Sequence, residues 1–193
     1  MHVSDQKAAL RASIKERLER LPEQKRIAES RSICRRVLEN LPPAPCVVCA
    51  YVPLKSEADI RPLLEALLKR GDRLFLPRFE ENELRFRRAD DLSKLLPGAL
   101  KIQEPPESAE LLDPHALQIA LIPGRAFDLR GGRLGRGNGG FDIWVEKVRA
   151  ANKKAQFWGI ALELQIVNDV PKEPHDQPLD AIVTARGKIE ARH

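Results

Sequence analysis

Apolar residues recur at two different periods along the chain, and the change of period divides it. Over 4–21, Leu10, Ile14, Leu18 and Leu21 fall at helical spacing, which predicts an amphipathic helix with Ser4 as its cap. Pro22 interrupts it. A second helix follows with Ile27, Cys34, Val37, Leu38 and Leu41 on one side, and the proline-rich run 42–45 stops it. From residue 46 the pattern changes. CVVCAYV (46–52) is a continuous apolar run of strand length. Ile60, Leu63, Leu64, Leu67 and Leu68 then predict a helix ended by Gly71. Further strands are predicted at 73–77, 83–87, 117–123, 156–162 and 181–184. Residues 88–116 read as mostly loop, with a short helix near 92–96. Phe141, Trp144, Val145 and Val148 follow i, i+3, i+4, i+7 and predict a helix directly after a glycine-rich loop. Residues 188–193 are expected to fray.

Strand alternating with helix predicts the α/β class: one domain over 1–193, with a mainly parallel central sheet flanked by helices. Its helical N-terminal part (1–41) carries two helices that pack outside the sheet or across one edge, and its α/β core spans 46–187.

Composition narrows the classes. The net charge is +5, from 33 basic and 28 acidic residues, and the signs are mixed along the chain. Nine aromatic residues and no basic run interleaved with them argue against a nucleic-acid surface. A small anionic ligand suits the basic balance better. No run of 18 apolar residues and no apolar N-terminal stretch occurs. The chain is therefore expected in the cytoplasm, without membrane or nucleic-acid partners, as a monomer. Cys46 and Cys49 form a C-x-x-C, but inside an apolar strand rather than at a helix start, so they read as packed core residues and not as a redox or zinc pair.

The candidate chemistry sits in GGRLGRGNGGFD (131–142), which holds six of the eleven glycines. Glycine lets the backbone approach a ligand, and free N–H groups at a helix start attract an anion. Arg133 and Arg136 add charge, and Asp142 in the first helical turn is placed to hold Mg²⁺ beside a phosphate. Walker A is excluded, because Asn138 and Gly139 stand where Lys and Ser/Thr are required. GRGNGG (135–140) matches G-x-G-x-x-G, but eleven residues separate it from the end of its strand at Pro123, which argues against a dinucleotide turn.

The same residues carry a family resemblance. Phe127-Asp128, Gly132, Arg133-Leu134-Gly135, Gly137, Gly139 and Phe141-Asp142 resemble the signature of the 5-formyltetrahydrofolate cyclo-ligase family. So do Lys7, Leu10 and Arg11; Tyr51, Pro53, Glu57 and Asp59; Arg70 to Arg78; Glu104-Pro105; and the run from Glu163 to Thr184. The resemblance implies ATP- and Mg²⁺-dependent conversion of a small-molecule substrate, a reduced folate, to its 5,10-methenyl form. It implies that Lys7 and Arg11 hold ATP phosphates. It places Arg133, Leu134, Gly135, Arg136, Gly137, Asn138, Gly139, Gly140, Phe141 and Asp142 at the nucleotide. Asp142 serves the metal, and Arg136 and Glu57 are the catalytic candidates. Tyr51, Glu57 and Phe86 face the folate. Taken alone, Lys7 and Arg11 read as a solvated helix face, and Arg133 as a structural partner of a nearby carboxylate. The chain departs from the family at Gly140, where members carry an aromatic, and at Leu100-Lys101-Ile102, where an aromatic commonly precedes Glu104-Pro105. The alternative is a divergent relative that binds nucleotide or a phosphorylated ligand with altered activity.

Overall fold

The structure, a computed structural model, describes residues 2–98 and 102–191. Two helices open the chain, α1 (Val3–Glu19) and α2 (Glu23–Asn40). A short strand β1 (Val47–Cys49), helix α3 (Arg61–Arg70) and strands β2 (Arg73–Glu80) and β3 (Glu83–Arg88) follow. Then come β4 (Leu96–Pro97), β5 (Gln103–Glu104), β6 (Ile119–Ile122), β7 (Ala126–Phe127) and β8 (Arg133–Leu134). Helix α4 (Gly140–Ala151) and strands β9 (Gln156–Ile160), β10 (Ala181–Thr184) and β11 (Gly187–Glu190) complete it.

Seven strands form one sheet in the order β11-β10-β9-β6-β1-β2-β3. The five inner strands run parallel. Each edge strand is antiparallel: β3 returns from β2 through Glu81 and Asn82, both at positive φ, and β11 returns from β10. After β1 the chain builds one side of the sheet with β2, then crosses to β6 on the other. The switch point therefore lies between β1 and β6, and the crevice beyond their carboxyl ends is where such sheets bind ligands.

Two cores cover the two faces. Ile33 and Val37 of α2 and Leu63, Leu64 and Leu67 of α3 pack with Val48, Leu74, Leu121 and Trp158. Trp144, Val145 and Val148 of α4 pack on the other face with Cys49, Phe75, Ala120 and Phe157. Residues three apart in a strand point to opposite faces. Cys46 accordingly joins the first core and Cys49 the second, so the C-x-x-C cannot act as a pair. All three cysteines are free and buried, and burial holds the Cys49 thiol well above its ordinary value. An aromatic disulfide reagent is expected to label no thiol in the folded protein and three after denaturation.

Several expectations need correction. Helix α1 is capped by His2 and not by Ser4, which lies within the helix and makes no cap bond. Ile27 is 42% exposed; Ile33 takes its place in the core. The interval 88–116 holds the β4–β5 ribbon and, near its start, a 3₁₀ turn at Leu92–Lys94. Lys188–Glu190, expected to fray, belongs to β11. Arg192, His193, Leu100 and Lys101 lie outside the described residues. The N-terminal helices also differ from each other. α2 lies against the sheet, whereas Ile14 of α1 packs on Ala126, Leu134 and Val170, around the small β7–β8 ribbon. That docking carries the polar face of α1 to the carboxyl end of the sheet.

Candidate active site

A cavity of about 720 Å³ opens at the switch point. Tyr51, Val52 and Leu54 after β1, Pro77 and Phe79 on β2, and Pro123 and Gly124 after β6 bring it to the strand ends. The glycine loop and the start of α4 form one wall through Gly135, Arg136, Gly137, Asn138, Gly139, Phe141 and Asp142. Lys7 and Arg11 of α1 close it from above.

The loop's shape follows from its glycines. Gly137 has φ 107° and Gly139 φ 66°, conformations that L side chains rarely adopt. Gly139 caps α4, so the first-turn N–H groups of that helix open toward the loop. Beneath the loop, Asp128 is fully buried. Its Oδ1 accepts the N–H groups of Arg130 and Gly132, and its Oδ2 accepts that of Val170, each at 2.9 Å. Burial works against its charge, but those three donors outweigh it and hold the carboxyl below its ordinary value.

Charged pairs line the cavity. Arg133 donates to Asp142 Oδ2 at 2.6 Å and lies 5.7 Å over the Phe141 ring. Asp142 Oδ1 accepts from the backbone of Gln177 at 3.2 Å. Arg133 thus has the structural partner that its sequence context suggested. Arg136 donates to Glu57 Oε1 at 3.0 Å and to Ser56 Oγ at 3.2 Å. Glu57 is 7% exposed, and its Oε2 accepts from the Leu54 backbone. Arg11 donates to the carbonyl of Gly135 at 3.0 Å and has no carboxylate partner among the described residues.

Lys7 is not a solvated residue. It is 6% exposed, and its ammonium sits 2.7 Å from Glu173 and 2.5 Å from Asp176. Burial pulls the Lys7 pKa down, but the hydrogen bonds and charges of Asp176 and Glu173 prevail and raise it. Asp176 is lowered in turn, against its burial, chiefly by its bond to Lys7. The pair is therefore charged at neutral pH. Its contribution is lost only as pH falls through the lowered Asp176 value or rises through the raised Lys7 value. Lys7→Met leaves two carboxylates facing each other. It is expected to cost roughly 2 kcal/mol in denaturant unfolding at neutral pH, below the full buried-pair range because Glu173 is a third exposed.

The structure brings most expected site residues to one cavity, with two exceptions. Phe86 is 1% exposed and off the cavity wall, packed 4.1 Å from Trp144 and 6.3 Å from Phe141 between ring centroids. Gly140 is also off the wall. Tyr51 reaches the cavity, yet it is 2% exposed and donates its hydroxyl to the Ala58 carbonyl. Sequence reasoning left unassigned Phe79, Leu84, Ile102 and Glu104, and the group Glu173, His175 and Asp176, all of which line the cavity.

The sequence pattern that defines the 5-formyltetrahydrofolate cyclo-ligase family matches residues 3–185. The chain belongs to that family. It is an enzyme of the cyclo-ligase type. The 5-formyltetrahydrofolate cyclo-ligase of Mycolicibacterium smegmatis is 30% identical over 193 residues, 96% of each chain. That of Mus musculus is 26% identical over 191 residues, 94% of each. The solved structure of the Aquifex aeolicus 5,10-methenyltetrahydrofolate synthetase superposes with a TM-score of 0.84 at 32% identity, covering 97% of this chain and 93% of that one. The cyclo-ligase fold thus extends over nearly the whole chain, including both N-terminal helices.

Proposed function

We propose that the enzyme converts 5-formyltetrahydrofolate to 5,10-methenyltetrahydrofolate with release of ADP and phosphate from ATP. The observation that carries this reading is the mixed lining of one cavity: a glycine loop with Arg11 and Arg136, together with the apolar side chains Phe79, Leu84, Ile102 and Phe141. A phosphate chain suits the first group and a pterin ring the second. Gly140 lies off the cavity wall with only Leu84 beside it, and Phe79 and Leu84 of the β2–β3 hairpin supply apolar lining without a ring at that position. That lining favours the full reaction over a divergent binding role.

The formyl oxygen attacks the γ-phosphorus, and the bond to ADP breaks. N10 then closes on the activated carbon and gives up its proton, and the carbon–oxygen bond breaks as phosphate leaves. In this reading Lys7 and Arg11 hold the phosphates, and the loop from Gly135 to Gly139 with Arg136 cradles the group in transfer. Leu134 anchors the loop beneath, and Glu57 orients the folate. Catalysis is then mainly positioning and charge neutralisation.

Asp142 is the metal ligand in this reading. It is a hard oxygen donor on the cavity wall, and each of its oxygens keeps a lone pair beyond its present bond. The wall carries Lys7, Arg11, Arg133 and Arg136 against Glu57, Glu104, Asp142, Glu173 and Asp176, so its own charges do not neutralise a triphosphate. Held by Asp142, Mg²⁺ would supply that missing positive charge beside the phosphates. The three reduced thiols suit the cytoplasm as the place of reaction. Purified protein given MgATP and 5-formyltetrahydrofolate is expected to develop methenyl absorbance in the near ultraviolet. No absorbance from protein that still binds ATP would sink the reading.

A further inference from the structure

The charges on the main cavity wall nearly balance; those beside it do not. A second cavity, of about 430 Å³, opens between the C-terminal half of α1, the start of α2 and the loop before α3. That volume falls in the range of small-molecule sites, roughly 300–1,000 Å³. Lys15, Arg26, Lys55 and Arg125 line it, against one carboxylate, Glu19. Glu19 stands 3.8 Å from Lys15 with both side chains mostly exposed, so that pair is weak. Arg26 donates to the backbone carbonyl of Lys55. Arg125 donates to the hydroxyl of Ser56 at 3.2 Å. Arg26, Lys55 and Arg125 have no carboxylate partner among the described residues.

Arg125 is half-buried with only a neutral partner. Burial and then the like charge of Arg136 push its pKa down; Glu57 opposes them, and Arg11 adds to them. Ser56 Oγ accepts from Arg125 on one side and from Arg136, at 3.2 Å, on the other. One hydroxyl therefore links a cation of this cavity to a cation of the main one. Leu18 and Leu21 give the smaller cavity an apolar side.

We propose that this second cavity binds a multiply charged oxyanion, a phosphate or carboxylate group, held by Arg125, Arg26 and Lys55. Clustered cations with no anionic partner repel one another, and such an ion relieves that repulsion. Its arrival draws Arg125 from Ser56 and alters the hydrogen bonding of Arg136, which ties the site to the main cavity. The inference does not depend on the nucleotide reading.

Inorganic pyrophosphate, titrated into the full-length protein by calorimetry, tests it. Two binding events are expected. Lys55→Glu reverses one exposed charge and is expected to weaken one event roughly tenfold, while Arg136→Ala weakens the other. Arg26→Glu should act on the same event as Lys55→Glu. A single event, lost in Arg136→Ala and unchanged in Lys55→Glu and Arg26→Glu, would overturn the proposal. A Lys55-dependent event without an Arg136-dependent one supports it and counts against the nucleotide reading instead. The source of the anion is separated by kinetics. A KM for 5-formyltetrahydrofolate raised by Lys55→Glu, at constant KM for ATP, identifies the substrate's own carboxylates. An unchanged KM beside a lost pyrophosphate event identifies a separate ion.

Discussion

Arg136→Ala is expected to lower kcat on the order of 100-fold, with a smaller change in the KM for ATP. The expectation rests on where the guanidinium sits. It projects from the glycine loop, is a third exposed toward the cavity, and is held by Glu57 and Ser56. It is therefore positioned before any ligand arrives, so little reorganisation is needed when charge spreads over the transferred phosphoryl oxygens. Arg136→Lys keeps the charge but not the planar fork, and should recover only part of the rate. Arg136→Ala leaves the buried Glu57 carboxylate without its cation, so a fall in Tm is expected as well, and rates are to be compared well below the variant's transition. Unchanged steady-state rates would remove Arg136 from the site.

The largest stability effect is expected at Asp128, which touches no ligand. Asp128→Asn keeps the shape but replaces one acceptor oxygen with a donor, against backbone N–H groups that have no other partner among the described residues. The cost is about 3 kcal/mol, read as a fall in Tm of roughly 6–12 °C. The pH dependence has a definite sign. The folded pKa lies below the ordinary value of 3.8, so the charged carboxylate stabilises the fold above that value. The contribution is lost as pH falls through the lowered folded value. The gap between wild type and variant should be constant near neutrality and close in acid. A gap that widens in acid would contradict the assignment.

These two residues also mark what was legible in the sequence. Arg136 stands in a glycine-dense run before an amphipathic helix, and both signals are local. The helix α4, the C′ glycine at Gly71 and the strand at Ala181–Thr184 were legible for the same reason. Asp128 was legible only as part of a motif, because its partner Val170 is 42 residues away. The β7–β8 ribbon has two residues per strand, too few to show a period. Strand β11 was hidden because Lys188 and Glu190 are polar on an edge, and pairing with β10 decides their conformation.

At the candidate site, local chemistry was readable and long-range pairing was not. Lys7 alone looks solvated; it is buried because Glu173 and Asp176, more than 160 residues later, fold against it. The family resemblance implies that Phe86 faces the folate. In the structure Phe86 pairs with Pro77 and shares a sheet face with Leu84 and Phe79, but Trp144 and Phe141 of α4 cover it, while Phe79, nearer the hairpin turn, stays 45% exposed on the cavity wall. Arg125 and Ser56 carried no sequence signal, since their meaning lies in the link they form between cations of two cavities.

In the proposed reaction the formyl oxygen itself receives the γ-phosphoryl group. Labelling that oxygen with a heavy isotope tests it most directly. After one turnover with MgATP in ordinary water, the label is predicted in the inorganic phosphate, with one ADP formed for each methenyl group. Unlabelled phosphate, or methenyl product formed without ADP, would contradict the account.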